Sequence, residues 1–222
     1  MRFLFVPVFS FLFVLLTSCM GNAQNATDVI EQPKPPVAAT ITSLQIGDQA
    51  PLQEHNMTDV SGADVSIKSS KLENGLLVIF SCNTCPYVVA WEDRYPLIAE
   101  FCKANNIGLL VVNPNEAQRE GVDSYEAMRQ HAIDNDYQFT YAMDKNHDLA
   151  DAFGATRTPE LFLFDQNLSL TYKGCIDDNM KEPENVQQFY IKNAALNMVG
   201  GQTIDPNITK SVGCSIKRIS KI

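Results

Sequence analysis

Two cysteines stand three residues apart in the stretch FSCNTCPYVVAWEDRY (Phe80 to Tyr95), where an apolar run gives way to an amphipathic one. Such a pair can be half of a metal site, a structural staple or a redox centre. A zinc site takes four ligands, usually two such pairs or a pair with nearby histidines. The remaining cysteines are scattered and His55, His131 and His147 have no ligand spacing, so no metal is expected. A bridge closing so short a loop removes little unfolded-chain entropy, which argues against a purely structural role. Cys82 and Cys85 instead fall where a buried strand should meet a helix, with Pro86 in its first turn. Unpaired backbone N–H groups and the positive end of the helix dipole stabilise a thiolate there. A lowered thiol pKa supplies nucleophile at neutral pH, and the neighbouring sulfur can resolve a mixed disulfide. The chemistry expected is thiol–disulfide exchange without a bound cofactor. Cys82, preceding the helix, is expected to be the exposed attacking thiol, and Cys85 the more buried resolving one.

The elements that must position this pair can be read from periodicity. Leu76–Ser81 (LLVIFS) and Ile107–Asn113 (IGLLVVN) are continuous apolar runs of strand length, as in strands buried on both faces. Between them Trp91, Tyr95, Ile98, Phe101 and Cys102 repeat at helical steps. A second helix is expected from DSYEAMRQHAID, with Asp123 and Glu126 in capping-box spacing, and a third from Asn146 to Phe153, stopped by Gly154. Glu160–Phe164 and Leu168–Tyr172 flank DQN and predict a hairpin, and a last helix should run from about Glu184 to Met198. Residues 45–70 read as loops and a small hairpin. The order predicts an α/β domain, a mixed central sheet with helices on both faces.

Composition bounds the rest. The 222 residues carry 17 Lys and Arg against 26 Asp and Glu, a net charge of −9 that argues against nucleic acid as a partner. Met1–Arg2 followed by the apolar Phe3–Leu16 reads as a targeting segment. It ends in Leu16-Thr17-Ser18-Cys19, which resembles a bacterial lipobox; a secretory signal with an incidental cysteine is the alternative. The expectation is a lipoprotein signal peptide over 1–18, lipid on Cys19, a flexible linker over 19–43 rich in Asn, Gln, Ala, Thr and Pro, and a folded domain over 44–222. Such a chain would face the periplasm from a bacterial envelope membrane.

The motif ATRTPELFLFD places Thr158–Pro159 just before a strand in the second half of the domain. It resembles the thioredoxin-fold element in which a cis-proline loop packs beside the cysteine pair and offers its backbone to a substrate chain. With CNTCPYV, IDDN and the tail GCSIK, the domain resembles the redoxin, or peroxiredoxin-like, branch of the thioredoxin superfamily. The resemblance implies a thioredoxin-like fold, Cys82 and Cys85 as catalytic thiols, Thr158 and Pro159 as substrate-binding residues, and protein thiols or disulfides and a redox partner protein as partners. Two departures matter. Thioredoxin has Trp before its first cysteine and Gly-Pro between the two, where this chain has Ser81 and Asn83-Thr84. The peroxiredoxin pattern Pro-x-x-x-Thr-x-x-Cys fits neither frame, since counting back from Cys85 gives Cys82 and Val78 and from Cys82 gives Ile79 and Gly75. A thiol peroxidase, and a non-catalytic module that keeps the fold for binding, are the alternatives. Cys102 and Trp91 read as core, Arg157 as a loop charge or a guide for an acidic substrate, and Asp177–Asp178 as a turn. Cys175 and Cys214 are left over, and in an oxidising compartment they are expected to pair. An unpaired Cys175, or one exchanging electrons with the active pair, is the alternative.

Overall fold

The structure is a computed structural model, and it describes residues 42–221. The expectations placed on residues 1–41, among them the signal peptide, the lipid on Cys19 and nearly all of the linker, lie outside the described residues.

The chain runs β1 (Met57–Asp59), β2 (Asp64–Val65), α1 (Ile67–Ser70), β3 (Leu76–Phe80), α2 (Pro86–Trp91), α3 (Tyr95–Ala104) and β4 (Gly108–Asn113). It continues through α4 (Tyr125–Asp134), β5 (Thr140–Met143), α5 (Asp148–Phe153), β6 (Arg157–Thr158), β7 (Glu160–Phe164), β8 (Leu170–Gly174), α6 (Tyr190–Val199) and β9 (Cys214–Ser215). Seven strands form one sheet in the order β2-β1-β5-β4-β3-β7-β8. β3 pairs parallel with β4 and antiparallel with β7, so the sheet is mixed and β3 lies inside it. That position explains the unbroken apolar run: Leu76, Val78 and Phe80 face one core, and Leu77 and Ile79 the other. On the second face lie Val88 and Trp91 of α2, Tyr95 and Ile98 of α3, Met128 of α4 and Ile191 of α6. On the first lie Ile67 of α1 and Leu149 and Phe153 of α5, with Phe80 edge-on to Phe153 at 5.3 Å between ring centroids. The α/β architecture with helices on both faces is the one expected.

The differences have local causes. The long amphipathic helix is two: Glu92–Arg94 forms a 3₁₀ turn, and Pro96 then starts α3 afresh. The cap of α4 is Ser124, whose hydroxyl accepts the Ala127 N–H at 3.2 Å, not Asp123. The last helix begins at Tyr190, because Pro183–Asn185 is a separate 3₁₀ turn and Val186 is extended. The second hairpin strand starts two residues late, since Leu168 sits at φ 59° in a turn held by Asp165 Oδ1, which accepts the Asn167 and Ser169 N–H groups at 2.8 and 2.9 Å. Three short strands, β5, β6 and β9, had no periodicity to announce them.

Candidate functional site

The cysteine loop leaves the C-terminal end of β3, where the Ser81 N–H extends the ladder to the Val112 carbonyl at 2.8 Å. Cys85 occupies the N-cap position of α2 with Pro86 at the first helical position, and its carbonyl accepts the Val89 N–H at 3.0 Å. Both sulfurs meet Thr158, in a peptide bond to Pro159 that is cis. Cys82 Sγ lies 3.4 Å from Thr158 Oγ1, and the Cys85 thiol donates to the Thr158 carbonyl at 3.2 Å. The structure thus brings together the four residues singled out for exchange and docking. It also brings a fifth: Cys214 Sγ stands 2.6 Å from Cys85 Sγ.

Two expectations about these thiols are corrected. Neither member of the pair is exposed, Cys82 at 3% and Cys85 at 4%. The thiolate belongs on Cys85, whose pKa is lowered to about 4. The Cys82 thiol donates to it, outweighing the opposing effect of burial, and Cys214 and the backbone N–H groups of Val88 and Cys214 add further donors. Besides burial, the Thr158 carbonyl favours keeping the proton on Cys85. Cys82 is pushed upward by its bond to Cys85, by burial and by the nearby negative charge of Asp123. Cys214 is raised to about 11 by burial and by its proximity to Cys85. The helix start favours the thiolate of the residue that caps it, and here that residue is the second cysteine.

A buried polar network holds the loop. Asn83, between the cysteines, gives its N–H to Asp123 Oδ1 at 2.9 Å and its side-chain amide to the Val122 carbonyl at 2.7 Å, and accepts the Tyr141 hydroxyl at 2.8 Å. Asp123 also accepts from Asn113 at 2.8 Å and from Asn115 at 2.9 Å. Spacing could not reveal these residues, because they reach the loop from three separate elements. Cys214 was visible only as a leftover cysteine in the tail GCSIK, with no place at the site.

The expected Cys175–Cys214 bridge is not formed, and all five described cysteines are free. Cys175 follows the edge strand β8, where its thiol donates to the Asp177 carbonyl at 3.4 Å and lies 3.5 Å from Thr209 Oγ1. β9 pairs with β6 instead, with Cys214 opposite Thr158, and that register delivers its sulfur to Cys85. Cys102 is buried, and burial pushes its pKa up to about 12. Trp91 is core, but its indole N–H donates to Asp177 Oδ1 at 2.8 Å. Asp177 does form a turn, accepting the Asn179 N–H at 3.0 Å, and it also pairs with Arg94 at 3.3 Å. Arg157 is an exposed residue whose guanidinium donates to the Gly213 carbonyl at 2.9 Å. Among the described residues no group of three or more His, Cys, Asp or Glu could hold a metal ion, and no helix is long and apolar enough to cross a membrane.

Residues 46–173 match the model of the AhpC/TSA family, and the chain belongs to that family. Its fold is thioredoxin-like. An uncharacterised conserved protein of Geobacillus kaustophilus superposes with a TM-score of 0.73 at 28% identity, over 80% of this chain and 94% of that one. A candidate thiol:disulfide interchange protein DsbE of Chlorobium tepidum superposes with a TM-score of 0.56 at 19% identity, over 71% of this chain and 100% of that one. Peroxidoxin BcpB of Mycobacterium tuberculosis gives 0.54 at 11%, over 71% and 97%. A search of curated proteins found no match. The family match and the shared fold place the chain among the thioredoxin-fold redoxins.

Proposed function

We propose that this redoxin is a thiol–disulfide oxidoreductase acting on protein substrates, tethered to a bacterial envelope membrane through lipid on Cys19 and facing the periplasm. The observation that carries the reading is the packing of the Cys82 and Cys85 sulfurs against Thr158 beside Pro159, where the Cys85 pKa is lowered. The Cys85 thiolate attacks one sulfur of a substrate disulfide. The S–S bond breaks, Cys85 becomes the mixed disulfide, and the other substrate sulfur leaves as a thiolate. Cys82 then gives its proton to the departing substrate sulfur and attacks Cys85 Sγ, closing the Cys82–Cys85 bond. Two electrons pass from the pair to the substrate, and a partner dithiol restores them. These roles reverse the order expected from the sequence. Reduction of a protein disulfide driven by dithiothreitol should be faster with the protein than without it and should vanish in Cys85→Ser. A wild-type rate equal to that of dithiothreitol alone would sink the assignment. Metabolic labelling with palmitate tests the tether: incorporation in the wild type that persists in Cys19→Ala would overturn it.

A second reading rests on Cys85 as a thiolate followed by Pro86 in an AhpC/TSA chain. Its attack on a peroxide would take a hydroxyl to give sulfenic acid and release an alcohol or water. Cys82 stands where the peroxide-binding threonine would be, so this reading ranks second. Peroxide consumption far above that of free cysteine would reverse the ranking.

A further inference from the structure

The C-terminal strand is built onto the site from both sides. β9 pairs antiparallel with β6, Cys214 opposite Thr158 and Ser215 opposite Arg157. Thr158 is the residue both members of the pair touch, so a strand on this edge brings the side chain opposite Thr158 to Cys85. Gly213 makes the approach possible: a Cβ there would lie 2.3 Å from the Thr158 carbonyl oxygen. Arg157 clamps the Gly213 carbonyl at 2.9 Å, and Ser211 donates to Glu160 Oε1 at 3.3 Å. On the far side Ile216 is buried in the core, and the Lys217 N–H donates to Asn115 Oδ1 at 2.9 Å. Asn115 in turn bonds Asp123, which holds the cysteine loop. Tail and loop therefore share one frame. The 2.6 Å between Cys85 Sγ and Cys214 Sγ is well inside ordinary contact, and a bond of about 2.05 Å lies roughly half an ångström away.

We propose that Cys214 is a third redox thiol, forming a disulfide with Cys85 in exchange with the Cys82–Cys85 bond, so that the C-terminal strand is a built-in partner of the pair. The step moves no net electrons. Cys214 loses its proton and attacks Cys85 Sγ, the Cys82–Cys85 bond breaks as the Cys85–Cys214 bond forms, and Cys82 takes up the proton. Oxidising equivalents enter as in the exchange reaction proposed above, on which this inference rests. The exchange carries the disulfide outward, because Cys214 is partly exposed while Cys82 and Cys85 are buried. An external thiol then meets Cys214 Sγ first and expels Cys85, the sulfur with the lowest pKa and so the best leaving group.

The test is peptide mapping without reduction on the full-length chain. Cys82→Ser, oxidised with diamide and then alkylated, should yield a Cys85–Cys214 linked peptide as its main disulfide. Wild type brought to partial oxidation should yield Cys82–Cys85 and Cys85–Cys214 together. Gly213→Val keeps every sulfur but drives the strand off Thr158, so it should lose the Cys85–Cys214 link and retain Cys82–Cys85. Cys85 and Cys214 both alkylated in oxidised Cys82→Ser, or only Cys82–Cys85 in wild type at every degree of oxidation, would overturn the proposal. Substrate-disulfide reduction by wild type, measured in parallel, separates the two ideas. Turnover without the link leaves the exchange function standing and removes the relay, whereas the link without turnover removes the proposed function and keeps the internal exchange.

Discussion

The backbone N–H of Asn83 points at Asp123 Oδ1 from 2.9 Å, tying the middle of the cysteine loop to a carboxylate only 1% exposed. The carboxylate fixes the loop and sets a negative charge near Cys82, which adds to the bond to Cys85 and to burial in keeping that thiol protonated. Asp123→Asn keeps the size and one acceptor but removes the charge. The reduced pair carries a thiolate and the oxidised pair none, so losing the nearby negative charge should favour the reduced form and move its potential upward, on the order of 30 mV. Redox titration checks this. An unchanged potential with lowered stability would reduce Asp123 to a purely structural part.

Cys85 should be alkylated faster than Cys82, at a rate nearly flat from about pH 5 to 8 and falling away around its pKa of about 4. The same depression makes stability depend on pH. An unfolded thiol titrates near 8.5, so between there and about 4 the unfolded chain binds more protons at this residue than the folded one. The contribution of Cys85 is complete above the unfolded value and is lost as pH falls through the folded one. Iodoacetamide labelling with mass spectrometry reads the rate directly. A midpoint near 8.5, or Cys82 labelled first, would contradict the assignment.

What the sequence revealed follows from range. β3 and β4 were legible because both faces of each are buried, which leaves an unbroken apolar signature in a short window. The pairing of Cys82 and Cys85 with Thr158 was legible through the resemblance carried by CNTCPYV and TRTPELFLFD. The choice of thiolate was not. It depends on which residue caps α2, on the Asp123 charge and on the Cys214 side chain, all set by tertiary structure. The partner of Cys214 was equally hidden. Counting leftover cysteines cannot see that two residues of β9 pair with two of β6.

Thr158 Oγ1 is buried 3.4 Å from Cys82 Sγ, and their hydrogen bond eases ionisation of Cys82. Thr158→Val removes the hydroxyl while keeping the β-branched shape. Resolution by Cys82 should slow roughly two- to tenfold, the size of one modest hydrogen bond, while alkylation of Cys85 changes little. The lifetime of the mixed disulfide in a single-turnover experiment measures the first effect. Equal slowing of both steps would mean that the substitution disturbs the whole site.

Asp177 should be worth more to stability than its place in a turn suggests. It is 4% exposed, accepts from Trp91 at 2.8 Å and lies 3.3 Å from Arg94 Nε, joining α2 and the turn after it to the segment beyond β8. Arg94 has another good bond, to the Asn179 carbonyl at 2.8 Å, but among the described residues no other carboxylate lies closer than that of Asp93 at 4.0 Å. Removing one partner of a buried pair leaves the other charge uncompensated, which costs about 3–5 kcal/mol. Asp177→Ala should carry that full cost. Asp177→Asn should cost less, because its carbonyl oxygen can still accept the Trp91 N–H. Trp91, the one tryptophan in the chain, reports unfolding by fluorescence in a urea titration. If Asp177→Ala shifts the unfolding free energy by less than about 1 kcal/mol, the pair behaves as an exposed ion pair would, and its burial contributes nothing to holding α2 in place.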